Sequence, residues 1–407
     1  MSAEPRSLAR APAHAMQSSS VRYPIALFLG GIAIGVAEFL PVGLLPDIAR
    51  SLGISIPDAG HLLSSYAIGV VVGAPVLVAL GSRMPPKRVL IAFMLLFALF
   101  NGLFALASSY PVLVAVRFLA GLPHGAFFAL GAIVASRLAP RGQQAAAVAI
   151  MFAGLTAANV VFVPVGTYVG HVLSWRLPFA MVSVLALVTA WAIHAQIPAI
   201  RALPESGIAA TLRHVTAPSF WPFVGISAIG TGGLYAWISY IAPLATEVTG
   251  FARSDVGLIM ILAGLGMAAG NWLGGWLADR YPALHVVRAT LMAMMVSVSL
   301  VAAVSQYRAA TLALTFVTGA VAFSIIAPLQ MLMLEAVPGS KSMASALMQS
   351  TSNVGNALGA YLGGLGIALG YGFASPEYIG AALVSIGLLS AFLIRGDREI
   401  AACTDPT

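Results

Sequence analysis

Val89-Leu-Ile-Ala-Phe-Met-Leu-Leu-Phe-Ala-Leu-Phe-Asn-Gly-Leu-Phe-Ala-Leu-Ala107 is a run of apolar residues with no charge. Pro85-Pro-Lys-Arg88 precedes it and Ser108-Ser-Tyr110 follows. At a rise of 1.5 Å per residue such a run forms a helix of about 28 Å, close to the ~30 Å hydrocarbon layer of a bilayer. Apolar runs of this kind also occupy residues 24–46, 59–80, 112–136, 145–169 and 178–198, and then 219–245, 255–277, 288–305, 309–334, 343–366 and 377–395. With 89–107 they make two groups of six. The sequence therefore predicts an all-α membrane protein of twelve transmembrane helices.

Composition supports that reading. Of 407 residues, 60% are hydrophobic and 8% charged, and the mean hydropathy is +0.96. A soluble surface needs roughly 25% charged residues, so most of this chain must face lipid. The net charge of +7 does not mark a nucleic-acid binder, because Lys and Arg punctuate the joints between apolar runs rather than clustering on one wet face. The single cysteine, Cys403, excludes a disulfide within the chain. Residues 1–22 are polar, lack the apolar core of a secretory signal and read as a disordered cytoplasmic tail.

The joints also set orientation. With the N-terminus inside, fifteen basic residues face the cytoplasm, among them Arg83, Lys87, Arg88, Arg137 and Arg288, and four (Arg50, Arg176, Arg253, Arg308) face outward. Arg117 lies within a span. That asymmetry places both termini in the cytoplasm. Residues 201–218 form the longest polar interior stretch and read as a cytoplasmic linker between bundles 23–200 and 219–398, with a second tail at 399–407.

The halves echo each other. Gly81-Ser-Arg-Met-Pro-Pro-Lys-Arg88 follows span two, and Gly275-Trp-Leu-Ala-Asp-Arg280 follows span eight. Asn159 with Gly166 and Gly170 marks span five, and Asn353 with Gly359 and Gly363 marks span eleven. Two matches at one offset (275−81 and 353−159 are both 194) indicate an internal repeat. Repeated six-helix halves with a binding site between them are a transporter arrangement.

Glycines recur at four-residue spacing as Gly31/Gly35, Gly69/Gly73, Gly121/Gly125, Gly166/Gly170, Gly266/Gly270/Gly274 and Gly355/Gly359/Gly363. Each set lays a smooth strip along one helix face, which serves either fixed close packing or a surface on which one bundle rocks against the other. Pro41, Pro75, Pro123, Pro164, Pro243 and Pro328 lie inside spans, where neighbouring helices must satisfy the carbonyls they free.

Ionisable groups within spans are costly and mark function by default. Glu38 in span one and Arg117 in span four lie at similar depths below the outer surface. His124 follows Arg117 by two helical turns on the same face. Burial disfavours an ionised carboxyl and a nearby guanidinium favours it; a carboxyl caught between these effects suits proton carriage. A permanent Glu38–Arg117 ion pair is the plainer alternative. Tyr66, Asn159, Tyr235, Tyr240, Gln330 and Asn353 are candidate substrate contacts, although residues of this kind more often serve as interhelical glue or interfacial anchors.

These residues resemble the major facilitator superfamily over residues 23–398. Glu38-Phe-Leu-Pro-Val-Gly-Leu-Leu-Pro-Asp-Ile-Ala49 is similar to the first-span signature of the twelve-helix drug:proton antiporter branch. Arg117-Phe-Leu-Ala-Gly-Leu-Pro-His-Gly-Ala-Phe-Phe128 resembles the fourth-span motif in the form seen in arabinose and sugar efflux permeases and in chloramphenicol exporters. Val163-Pro-Val-Gly166 with Gly170 resembles the antiporter motif, although Val163 replaces its usual glycine. Pro85 occupies the acidic position of the loop after span two, whereas the second copy keeps Asp279 and Arg280. The resemblance implies two pseudo-symmetric six-helix bundles, with spans one, four, seven and ten lining a cavity and spans two, five, eight and eleven meeting across the bundle interface. Four glycine sets fall on that second group, which favours the rocking-surface reading for them. Gly81, Arg83, Pro164, Gly166, Gly170, Gly275, Asp279 and Arg280 carry the gating motifs it implies.

The reading is a secondary active transporter rather than an enzyme: no metal-ligand pair, nucleophile elbow or phosphate-binding loop is present, and no cofactor is expected. Its leading form is a monomeric proton-coupled antiporter of a bacterial inner membrane. It exports a drug-like, sugar or nucleoside substrate by alternating access, with Glu38, Arg117 and His124 coupling the proton. Uptake by symport and a non-transporting membrane sensor are the alternatives; nucleic acid is not expected as a partner.

Overall fold

The computed structural model describes residues 23–140, 143–201, 218–336 and 341–394. The tails expected at 1–22 and 399–407, and nearly all of the 201–218 linker, lie outside the described residues. Among those described there are helices and no strands. Six make the first half: α1 (Tyr23–Leu52), α2 (Ile56–Gly81), α3 (Pro86–Leu106), α4 (Tyr110–Leu138), α5 and α6 (Arg176–Gln196). In α5 a π-helical turn, Ala158–Phe162, joins Gln144–Ala157 to Val163–Val172. It ends next to Pro164, whose missing N–H and bulky ring oppose a regular helix there.

Six more follow. α7 runs from Trp221 to Ser239 and bends by 43° into Ile241–Val248. Then come α8 (Val256–Ala278), α9 (Ala283–Val304), α10 (Arg308–Ser324 and Ile326–Ala336), α11 (Lys341–Ala368) and α12 (Ser375–Leu393). Among the described residues ten helices are long and apolar enough to cross a membrane, eleven with the bent α7 counted as one. α11 has the length, 28 residues, but carries Ser342, Ser345, Gln349, Ser350, Thr351, Ser352, Asn353 and Asn356. A helix enclosed by other helices can hold such residues, because it meets protein rather than lipid.

Packing repeats between the halves. α1 lies on α5 as α7 lies on α11, α2 on α4 as α8 on α10, and α3 on α6 as α9 on α12. The halves meet where α2 lies along α11 and α5 along α8, the pairs that the resemblance implied. The α2–α11 seam is continuous. At one end Tyr240 of α7 seats its ring against Gly363 and Gly364 of α11 and its hydroxyl over Gly60 of α2. Below this, Ser64 Oγ donates to Ala357 O at 3.2 Å and Ser350 Oγ to Val71 O at 3.0 Å. Ala74, Ala129, Met343 and Ala346 close the other end.

The glycine strips on α2, α5, α8 and α11 do not face that seam, which corrects the rocking-surface expectation. A Cβ on Gly69 or Gly73 would strike α4 at Phe118 O or Leu122 O, and one on Gly266, Gly270 or Gly274 would strike α10 at Phe316 O, Ala320 O or Ser324 O. Gly355 and Gly359 press on α7, and Gly166 and Gly170 on Leu40 and Leu44 of α1. All four strips therefore cement helices within one half. Of the sets named above, Gly125 crosses to the other half, against Gln349.

Two prolines leave freed carbonyls that other helices satisfy. Pro41 cannot donate to Ala37 O, and Arg117 Nη2 does so at 3.1 Å. Pro75 cannot donate to Val71 O, and Ser350 Oγ takes its place. Arginines do similar work at helix ends, where unpaired carbonyls concentrate negative potential. Arg176 donates to Ala107 O beyond α3, Arg288 to Ala391 O and Ile394 O at the end of α12, and Arg308 to Gly250 O beyond α7.

Candidate functional site

α1 continues through Pro41 and Pro46 to Leu52, six residues past the expected end. Glu38 thus stands at the middle of a 30-residue helix rather than near its outer end. It is 7% exposed. His124 Nε2 of α4 lies 4.0 Å from its Oε2, too far for a hydrogen bond but near enough for one after a small rotation. From the other half, Asn356 Nδ2 of α11 donates to Glu38 Oε1 at 3.4 Å.

Arg117 and Glu38 make no ion pair, so the permanent-pair alternative is not what the side chains adopt. The guanidinium is fully buried. Besides Ala37 O it reaches Leu62 O at 3.5 Å and lies 4.2 Å above the Tyr66 ring, with Phe104 and Phe179 at 5.4 and 5.9 Å. Its Nη1 has no hydrogen-bond partner. Its charge still reaches Glu38 through space, and by holding Ala37 O it fixes the backbone next to that carboxyl.

Tyr66 joins the group. Its Oη lies 3.1 Å from His124 Nδ1, a hydrogen bond whose donor depends on the imidazole tautomer. The two rings are tilted at 5.7 Å. His124 is therefore hydrogen-bonded to Tyr66 through Nδ1, with Nε2 4.0 Å from Glu38. Tyr235 of α7 is close enough to feel the Glu38 charge. Glu38, Arg117, His124, Tyr66 and Tyr235 are thus brought together.

The other candidates sit elsewhere. Tyr240 donates its hydroxyl to Ala360 O at 2.7 Å and caps the seam. Asn159 and Asn353 donate to their own helices, at Leu155 O and Gln349 O, and Asn353 Oδ1 has no partner. Gln330 Nε2 meets Ser345 Oγ at 3.3 Å. Among the motif residues, Pro164 is buried beside the π turn, and a Cβ on Gly81 would meet Val89 at 2.9 Å. Gly275 has open space around it. Arg83 and Asp279 are exposed, and Arg280 is held by Trp276, its guanidinium 4.2 Å from the ring.

Two residues outside the candidate set belong in the account. Asn356 is visible in sequence as an amide within an apolar run, but nothing there distinguishes it from Asn353 one turn earlier. Glu377, fully buried and with no side-chain partner, sits at the very edge of the expected span 377–395. α12 begins two residues earlier, at Ser375, and draws it inside.

Comparison with known proteins places the arrangement. The family model described as Major Facilitator Superfamily matches residues 27–252 and 224–403. "Putative transporter AraJ" of Escherichia coli is 35% identical over 384 residues, covering 93% of this chain and 97% of that protein. "Chloramphenicol resistance protein" of Streptomyces lividans is 32% identical over 391 residues, covering 94% and 100%. A crystal structure of a bacterial homologue of the human lysosomal transporter Spinster, inward-facing and occupied, superposes with a TM-score of 0.69 at 16% identity, covering 91% of this chain and 95% of that one. At that identity the likeness is one of fold.

Proposed function

The chain belongs to the Major Facilitator Superfamily, and from that premise we propose that it is a proton-coupled antiporter exporting a small neutral or mildly polar molecule. Membership makes it a multi-pass membrane transporter, not an enzyme, whose partners are a small-molecule substrate and the lipid bilayer. The proton, the outward direction and the substrate class belong to the proposal. So do the bacterial inner membrane, the cytoplasmic termini, the monomeric state and the division into bundles 23–200 and 219–398 joined by a 201–218 linker.

One observation carries the reading: Glu38 is a buried carboxyl at mid-helix with no arginine or lysine ion pair, 4.0 Å from the His124 imidazole and hydrogen-bonded to the opposite half. A buried acid already neutralised by an arginine would be held in one charge state. Glu38 has instead a through-space cation, a basic nitrogen at 4.0 Å and a neutral amide, which leave it free to take up and release a proton as its surroundings change. In this mechanism Glu38 carries the proton and His124, tied to Tyr66, passes it. Arg117 positions the α1 backbone and supplies a fixed positive field. Alternating access then exposes the site to each side in turn. A relative named for chloramphenicol resistance supports export of drug-like molecules, and sugars and nucleosides are the other substrate classes within the proposal.

The test uses proteoliposomes with an imposed pH gradient and labelled chloramphenicol, L-arabinose and inosine as probes. The wild type accumulates at least one probe against its gradient when the proton gradient opposes it, and Glu38→Gln abolishes that accumulation. A Glu38→Gln protein that concentrates the same probe at the wild-type rate defeats the assignment.

A further inference from the structure

Asn356 and Glu38 lie 318 positions apart in sequence and meet side chain to side chain between the two halves. Both are nearly buried, at 6% and 7% exposure. Asn356 is part of the helix that forms the longest seam with the first half. The next residue, Ala357, accepts from Ser64 of α2, and Gly355 just before it is pressed on Thr231 and Ala228 of α7. Asn356 therefore sits where α1, α2, α7 and α11 converge. Any change in its bond to Glu38 is felt on the contact between the halves.

We propose that Asn356 is the positioning residue through which the second half reads the charge on Glu38. This rests on the proton-carrier reading of Glu38 above.

The physical reason is an asymmetry in hydrogen bonding. An amide N–H donating to an ionised carboxylate makes a charge-assisted bond, roughly twice as strong as the neutral one. In a site shielded from water that difference is not repaid by solvent. An ionised Glu38 holds α11 against α1 through Asn356. A protonated Glu38 keeps at most a neutral bond, and the halves separate more readily. The charged and titratable groups facing Glu38 are Arg117 and His124 of α4, Tyr66 of α2 and Tyr235 of α7. All of these except Tyr235 belong to the first half; from the second half the Glu38 charge acts on Tyr235 through space, and Asn356 donates to the carboxyl. Asn356 is the one whose hydrogen bond reaches the carboxyl, so the charge on Glu38 is transmitted to the second half mainly through it. Asn353 one turn away donates to its own helix and does not take part.

The experiment follows the separation of the halves as pH changes and needs no substrate. Spin labels are placed at Arg137 on α4 and Glu335 on α10, both exposed, in a Cys403→Ser background, and pulsed dipolar distances are recorded in lipid nanodiscs from acidic to alkaline pH. The wild type shifts between two distance populations as pH changes. Glu38→Gln stays in the low-pH distribution at every pH. Asn356→Ala and Asn356→Leu lose the shift, and Asn356→Gln, which keeps a donor on a longer arm, restores part of it. Where the alanine or leucine variant does not fold, Asn356→Ser, with a shorter arm, serves in its place and also loses the shift.

A variant lacking the amide that shifts like the wild type, while Glu38→Gln does not shift, overturns the role of Asn356 and leaves the reading of Glu38 standing. A Glu38→Gln protein that shifts like the wild type, or a wild type with no shift, overturns the reading of Glu38 itself.

Discussion

Arg117 is a fully buried cation that donates to backbone carbonyls rather than to the carboxylate nearby. The reason lies in Pro41. By withholding an N–H it exposes the Ala37 carbonyl, and a guanidinium is well suited to fill that gap inside a membrane bundle. Replacing a proline inside a helix normally stabilises it by ~3 kcal/mol. Pro41→Ala is expected to yield little of that gain, because the restored N–H competes with Arg117 for Ala37 O and leaves a buried cation short of acceptors. Thermal unfolding of the purified protein checks this, and a rise in Tm of the size expected for an ordinary helix would refute it. Tyr66→Phe removes one hydroxyl from His124 but keeps the ring beneath Arg117; it should cost about 1 kcal/mol. Tyr66→Ala also forfeits the cation–π contact and the burial of a ring, and should cost about 3–5 kcal/mol. The same melting series separates the two. The Glu38 and Arg117 positions were legible in sequence because charges inside apolar runs stand out. Their relation was not, since spacing along two helices cannot say which acceptor a flexible guanidinium takes.

At the scale of the helix, the glycine strips are the informative elements. Four-residue spacing predicts a close approach but cannot say which neighbour approaches. α2 and α8 each touch both their own half and the other, and their glycines turn inward to α4 and α10. Gly270→Ala would drive a Cβ into the Ala320 backbone, where nothing flexible can yield, and overpacking of this kind costs about 1–3 kcal/mol. Gly275→Ala, five residues on with open space around it, should be neutral or stabilising by about 0.5–1 kcal/mol. Melting curves of the two variants in detergent decide the matter; equal effects would mean that the strip does not cement α8 to α10. Helix ends show the same limit of local reading. Pro46 suggests a terminus, yet α1 runs on to Leu52, and the six added residues move Glu38 from near one surface to the helix centre.

At the scale of the molecule, the two-fold repeat was readable because one offset of 194 residues governs both the loop and the span motifs. The repeated packing of α1 on α5 and α7 on α11, α2 on α4 and α8 on α10, and α3 on α6 and α9 on α12 follows from it. α11 departs from the apolar pattern because it is lined by protein on most sides, and of its polar residues Ser350 and Asn356 bond to the first half across the seam. The halves differ where chemistry is concentrated: the first supplies Glu38, Arg117, His124 and Tyr66, and the second answers with Asn356 and Tyr235. The proposed antiport moves a proton and a solute in opposite directions through one site. The most direct test is to load proteoliposomes with chloramphenicol, L-arabinose or inosine, trap a pH-sensitive dye inside, and dilute them into probe-free buffer at equal pH. Efflux of a transported probe down its gradient should draw protons inward and acidify the lumen, and Glu38→Gln should abolish the acidification. Alkalinisation of the lumen during efflux, or efflux with no proton movement, would contradict antiport.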